Sequence, residues 1–190
     1  MNRITLSALA MIALGLGLIA VAGPLARAQE RFAPGVGSDG SITVPAVDLR
    51  KDWAYLGTYA IAGESGSGDF HVVYTQPESV GFYRENGRFP DGAVLVKELF
   101  KTATADLTTG QASWAVEPAG WFVMVKDAKG RYAGNPLWGD GWGWALFEAG
   151  ESRKTVTTDY QADCLGCHEP VRASDLVYVQ GYPTLRRAGQ

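Results

Sequence analysis

Five consecutive residues, Cys164-Leu165-Gly166-Cys167-His168, hold the densest chemistry in the chain. On a helix, positions i, i+3 and i+4 share one face, so both sulfurs and the imidazole are directed at one surface. A single flat ligand can meet all three: two thiols bond to two vinyl groups of a haem while the adjoining imidazole reaches its iron. Two other chemistries use cysteines at this spacing. A redox-active C-x-x-C disulfide belongs beside a βαβ pattern, which this sequence lacks, and it has no use for a histidine directly after the second cysteine. A zinc site normally needs four ligands in separated pairs, whereas the only other histidine, His71, stands far upstream. The expectation is one covalently attached haem c per chain, tethered by Cys164 and Cys167, with His168 as the protein ligand of the iron.

With His168 assigned, residues 29–190 offer one further histidine, His71, and one methionine, Met124, for the other side of the iron. Histidine or methionine there gives a six-coordinate electron carrier, and a vacant position gives a site for small ligands. Met124 lies in the apolar run Trp121-Phe122-Val123-Met124-Val125, where a core methionine needs no special role. His71 lies in Asp69-Phe70-His71-Val72-Val73-Tyr74, where alternation sets Phe70, Val72 and Tyr74 on one face and His71, Val73 and Thr75 on the other. It reads either as a surface histidine on a half-exposed strand or as a polar group that donates a hydrogen bond or proton to an iron-bound ligand.

Lys97 is the remaining chemical oddity. The run Ala93-Val94-Leu95-Val96-Lys97-Glu98-Leu99-Phe100 is apolar on both faces with one charge on each: Lys97 follows Ala93 and Leu95, and Glu98 follows Val94 and Val96. Desolvation lowers the pKa of a buried lysine and frees its amine as a nucleophile. The ordinary use of a strand lysine is to discourage edge pairing.

The elements that must position these groups are mostly strands. β-favouring runs cover Trp53 to Ala62, Phe70 to Gln76, Ala93 to Thr102, Gln111 to Val116, Trp121 to Lys126 and Trp142 to Ala149, with turn residues such as Thr109-Gly110 and Pro118-Ala119-Gly120 between them. The close spacing of the runs between 93 and 126 predicts an antiparallel meander, since parallel neighbours need crossovers of roughly a dozen residues or more. Helices are predicted from Pro77 to Asn86, stopped by Gly87, and from about Asp159 to His168, with Pro170 opposing further helix. The segment 135–147, with Trp138, Trp142 and Trp144 among glycines, reads as core that also contacts a haem. The fold class expected is α+β, a mainly antiparallel β-sheet with flanking helices and a c-type haem attached near the C-terminus.

Three stretches together resemble the cytochrome P-460 family, which includes the cytochromes c-prime-beta. They are Tyr74-Thr75-Gln76-Pro77-Glu78-Ser79, Gly87-Arg88-Phe89-Pro90-Asp91-Gly92 running on through the lysine strand, and the C-L-G-C-H motif followed by Tyr178 and Tyr182-Pro183-Thr184-Leu185. The resemblance spans roughly Val44 to Arg187. It implies a homodimer of mainly antiparallel β fold holding a high-spin haem open on its distal side. In the P-460 enzymes a strand lysine is cross-linked to the porphyrin and hydroxylamine is oxidised; Lys97 matches that lysine in motif and position. The c-prime-beta members lack the cross-link, cap the open side with aromatics and bind nitric oxide; Phe70 and Phe89 are the candidates for such a cap. His71 stands where the P-460 enzymes carry a distal arginine. A distal carboxylate is unassigned among Glu98, Glu117, Asp140 and Glu148. The reading is thus a cytochrome that binds or oxidises small nitrogen species, with a six-coordinate electron-transfer cytochrome using His71 or Met124 as the alternative.

Residues 1–28 read as a secretory signal peptide: Arg3 at the start, an apolar run from Leu6 to Ala22, and Ala26-Arg27-Ala28 as the cleavage site. A retained anchor is the rival reading of that run. Cleavage near Ala28 predicts a periplasmic protein. It removes Arg3 and Arg27, leaving 15 basic against 20 acidic residues and a net charge of −5, which with the lack of basic stretches argues against a nucleic-acid partner. Residues 29–43, rich in Gly, Pro and Ser, are expected to be a flexible lead-in to a haem domain at 44–187. The redox partner protein is not specified by any motif.

Overall fold

The computed structural model describes residues 32–64 and 66–187, so the proposed signal peptide and residues 29–31 of the lead-in lie outside the described part. Asp48 accepts hydrogen bonds from the backbone N–H groups of Arg50 and Lys51 and so starts a one-turn helix, α1 (Leu49–Asp52). Strands β1 (Ala54–Ala62) and β2 (Ser67–Thr75) follow, then helix α2 (Pro77–Asn86). α2 opens on Pro77, whose missing N–H costs nothing in a first turn, and closes on Gly87 at φ 68°. Strands β3 (Val94–Leu107) and β4 (Gly110–Lys126) form a long hairpin, and β5 (Trp138–Gly139) and β6 (Trp142–Glu148) complete one sheet in the order β1-β2-β3-β4-β6-β5. Every pairing is antiparallel, in line with the meander expected between 93 and 126 and with the α+β class.

β4 is one strand where the sequence predicts two. Pro118 and Gly120 do not turn the chain; they sit opposite Phe100 and Leu99, where the β3–β4 register shifts. A proline, which has no N–H to give to a ladder, and a glycine at φ 139° are what a bulged strand accommodates. A Cβ on Gly120 would lie 2.5 Å from the Phe147 carbonyl oxygen of β6, so the bulge also permits close approach of the neighbouring strand.

The sheet has two cores. The face bearing Tyr74, Val94, Val96, Val123, Val125 and Phe147 is covered by Ala33, Val36, Ile42 and Leu49. Residues 32–43 are therefore not a flexible lead-in, as the composition suggested, but packed structure. Ala33, Val36 and Ile42 are buried, Val36 bridges to Ile42, and the Trp138 indole N–H donates to the Gly40 carbonyl at 2.7 Å. The glycines and prolines fold the segment back, and its few apolar side chains supply the contact.

The other face, with Leu56, Val73, Leu95, Met124, Trp142 and Trp144, packs against the C-terminal segment through Cys164, Leu176, Val177, Tyr182 and Leu185. That segment runs as a π-helical turn (Gln161–Leu165), α3 (Gly166–His168), a 3₁₀ stretch (Glu169–Ser174) and a last 3₁₀ turn (Pro183–Leu185). Helical structure thus continues past Pro170, which sits in the first turn of the 3₁₀ stretch where no donor is missed. Among the described residues no helix is long and apolar enough to cross a membrane.

Candidate functional site

Antiparallel register sets three cross-strand rows on the C-terminal face of the sheet. Tyr59 of β1 is opposite His71 of β2; Val73 of β2, Lys97 of β3 and Phe122 of β4 form the next row; Leu95, Met124 and Trp144 form a third. These side chains and the C-terminal segment enclose a cavity of about 500 Å³, within the ~300–1,000 Å³ of small-molecule sites. His71, Lys97 and Met124 line its sheet wall, and Cys164, Cys167 and His168 line the opposite side. All five residues singled out for chemistry from the sequence thus meet in one place, as does Met124.

The C-x-x-C-H motif turns across the junction of the π-helical turn and α3. Cys164 is buried, and burial pushes its thiol pKa up to about 11; Cys167 is exposed, and neither is in a disulfide. The His168 ring is held edge-on to Trp144 at 4.9 Å and to Tyr178 at 6.0 Å between centroids. Its Nδ1 lies 2.7 Å from the Leu176 carbonyl oxygen. Because a carbonyl only accepts, that nitrogen carries the proton, and Nε2 keeps its lone pair for a metal. Burial lowers the His168 pKa, which also favours the neutral ligand form. Tyr178 donates its hydroxyl to the Cys167 carbonyl at 2.6 Å and so ties residues 178–182 back to the motif.

On the sheet wall the Lys97 ammonium lies 4.1 Å from the Phe122 ring centroid, its direct cross-strand neighbour. Among the described residues it makes no salt bridge. Burial lowers its pKa, and the ring offsets only part of that cost. The two readings of the lysine separate here, because it lines the cavity from a central strand rather than guarding an edge. His71 is half-buried, and its pKa is lowered first by burial and then by the positive charge of Lys97. It is not a simple surface residue but part of the cavity wall.

Several expected contributors are elsewhere. Phe89 is in the core, 4.7 Å from Tyr83 and 5.7 Å from Trp142, and Phe70 lies on the other face of the sheet; neither lines the cavity. The aromatic walls are Tyr59, Phe122, Trp144, Tyr178 and Tyr182 instead. Of the four carboxylates considered, Glu98 pairs with Arg50 at 2.7 Å on the far face, Glu117 pairs with Lys101 in solvent, Asp140 holds Arg172 and Tyr160, and Glu148 does not line the cavity. The carboxylate at the cavity is Asp163, which the sequence reading passed over. Its Oδ2 accepts the backbone N–H groups of Thr158 and Asp159, which lower its pKa and tie the turn to the chain that leads into it. Of the tryptophans, Trp144 lines the cavity, Trp142 is core beside it, and Trp138 belongs to the opposite core.

Two thiols and an imidazole with a free Nε2, facing a mostly aromatic and aliphatic cavity of this size, fit a haem. They do not fit zinc, since among the described residues no group of three or more His, Cys, Asp or Glu could hold a metal ion. A protein-family model described as Cytochrome P460 matches residues 50–179. No curated protein matches the chain.

Proposed function

The chain belongs to the cytochrome P460 family, and from that membership we propose that it is an exported cytochrome with one haem c on Cys164 and Cys167, open on its distal side to hydroxylamine or nitric oxide. The observation that carries the reading is the shared cavity: the residues for tethering and ligating a haem line it from one side, and Lys97 and His71 line it from the sheet. Bound there, the haem supplies an iron that exchanges electrons with a small nitrogen ligand.

The chain's own groups divide the remaining work. His168 Nε2 is the proximal ligand, oriented through Nδ1–H by the Leu176 carbonyl. Lys97, whose pKa is lowered by burial, is the candidate for cross-linking to the porphyrin. His71, its pKa lowered by burial and by the neighbouring Lys97, accepts or donates a proton beside the open side. Phe122, Trp144 and the three tyrosines exclude water. Export through the 1–28 signal, cleavage near Ala28, a periplasmic location, a homodimeric state and a separate redox partner protein complete the proposal.

A six-coordinate electron carrier is the second reading, favoured by the fact that His71 and Met124 both line the cavity. The optical spectrum of purified protein separates the two. A high-spin spectrum that changes on adding nitric oxide supports the open site; a low-spin spectrum unmoved by nitric oxide or cyanide defeats it. Peptide mapping then decides the lysine. A Lys97 peptide joined through haem to the Cys164–Cys167 peptide marks a hydroxylamine-oxidising member, and its recovery free in full yield marks a ligand-binding one.

A further inference from the structure

Asp175 and Leu176, two consecutive residues that are not glycine, both adopt φ 62°. A left-handed backbone costs such residues about 1–2 kcal/mol each, and leucine lacks the short polar side chain that eases it for aspartate. Strain of this kind persists only where the surroundings over-determine it. Here they do. The Asp175 carboxylate accepts from Lys126 Nζ at 2.5 Å and from the Phe89 backbone N–H at 3.0 Å, and the Asp175 carbonyl accepts the Trp142 indole N–H at 3.0 Å. Lys126 lies 4.8 Å from the Trp142 ring, and the two residues are paired across β4 and β6. Both members of the ion pair are nearly buried, with side-chain exposures of 11% and 15%. A buried ion pair is poor value as a stabiliser and is better explained by the geometry it specifies.

That geometry has a destination. The carbonyl of the next strained residue, Leu176, is the one that accepts from His168 Nδ1 at 2.7 Å. Neither Lys126 nor Asp175 lines the cavity. We infer that the Lys126–Asp175 pair is a positioning brace for the proximal ligand: it holds the left-handed turn that aims the Leu176 carbonyl at the His168 ring. The inference rests on the haem reading above and adds residues outside the pocket that set the iron's properties through a hydrogen bond. A firm Nδ1–H···O=C bond fixes the ring and raises the basicity of Nε2, which favours ferric over ferrous iron.

The haem-loaded Lys126→Met variant tests this by redox titration and by the iron–imidazole stretching frequency in resonance Raman. Loss of the brace loosens the bond, so the midpoint potential rises and the stretch moves to lower frequency. A tenfold loss of ferric preference reads as about 59 mV for a one-electron couple. Removing a positive charge, or leaving the Asp175 carboxylate bare, acts in the opposite sense and lowers the potential, so the sign separates positioning from simple electrostatics. Lys126→Arg, which keeps charge and donor, restores both readouts. If Lys126→Met does not accumulate folded, Asp175→Asn keeps an acceptor for the Phe89 N–H and is judged by the stretch alone. A folded, haem-loaded variant with an unchanged stretch and an unchanged or lowered potential overturns the brace while leaving the haem reading intact. A wild-type protein with no haem on Cys164 and Cys167 overturns both.

Discussion

Replacing Gly57 by alanine places a Cβ 1.9 Å from the Gly181 carbonyl oxygen, where real contacts essentially never fall below 3.0 Å. The two backbones must separate by the difference, 1.1 Å. Neither atom is at the end of a flexible side chain, so β1 and the C-terminal segment have to part. The two shortest bonds between them are the Gly181 N–H to the Tyr59 hydroxyl at 2.8 Å and the Thr184 hydroxyl to the Tyr55 carbonyl at 2.7 Å. A shift of that size takes both out of hydrogen-bonding range. Two lost bonds at about 1 kcal/mol each, added to an overpacking cost of about 1–3 kcal/mol, come to about 3–5 kcal/mol. For a protein of this size that lowers Tm by roughly 6–20 °C. Differential scanning calorimetry of the holoprotein is the assay, with Gly81→Ala as the control. Gly81 is exposed within α2 and has nothing within 4 Å of an added Cβ, so alanine there gains about 0.5–1 kcal/mol. The same Gly57 variant perturbs the haem spectrum, because Tyr59, Tyr178 and Tyr182 line the cavity. A Tm within 1–2 °C of wild type, on the scale of ~2–4 °C per kcal/mol, would refute the claim that β1 clamps the C-terminal wall.

Three further outcomes follow from named contacts. His71 has its folded pKa depressed below 6.5, so the stability it contributes is present above pH 6.5 and is lost as pH falls towards its folded value; His71→Leu makes urea-derived stability fall less steeply from pH 7 to 5, and parallel curves for the two proteins would contradict this. Arg50→Ala leaves the Glu98 carboxylate, 10% exposed, without its partner, and costs about 1–3 kcal/mol in the urea midpoint, whereas an unchanged midpoint would mean that water replaces the guanidinium. Met124→Leu conserves volume at a buried position and costs less than ~1.5 kcal/mol, with the visible spectrum unaltered; a spectral change would make Met124 an iron ligand.

Alternation puts Lys97 with Leu95, and His71 with Val73, on a common face once the strands pair in register, but it leaves each an ordinary reading beside the chemical one, and the family resemblance is what singles out the lysine. α2 was legible to the residue, since Pro77 and Gly87 punctuate it. The C-x-x-C-H motif carries its chemistry in its own spacing. Pro118 and Gly120 misled because the same residues serve turns and bulges, and only the long-range pairing with β6 decides between them. Residues 32–43 misled because composition averages over a segment in which three small apolar side chains do the packing. Phe70 and Phe89 were set aside by tertiary placement that no local pattern encodes. The Lys126–Asp175 pair is 49 residues apart in sequence, with nothing at either position to announce the other.

The central claim is that two sulfurs and one imidazole of this cavity hold a single haem. Mass spectrometry of tryptic peptides, taken from protein matured in a cell with cytochrome c assembly, tests it most directly. The account predicts one haem mass on the peptide carrying Cys164 and Cys167 and no free thiol at either position. A colourless protein in which both cysteines react fully with iodoacetamide would contradict it.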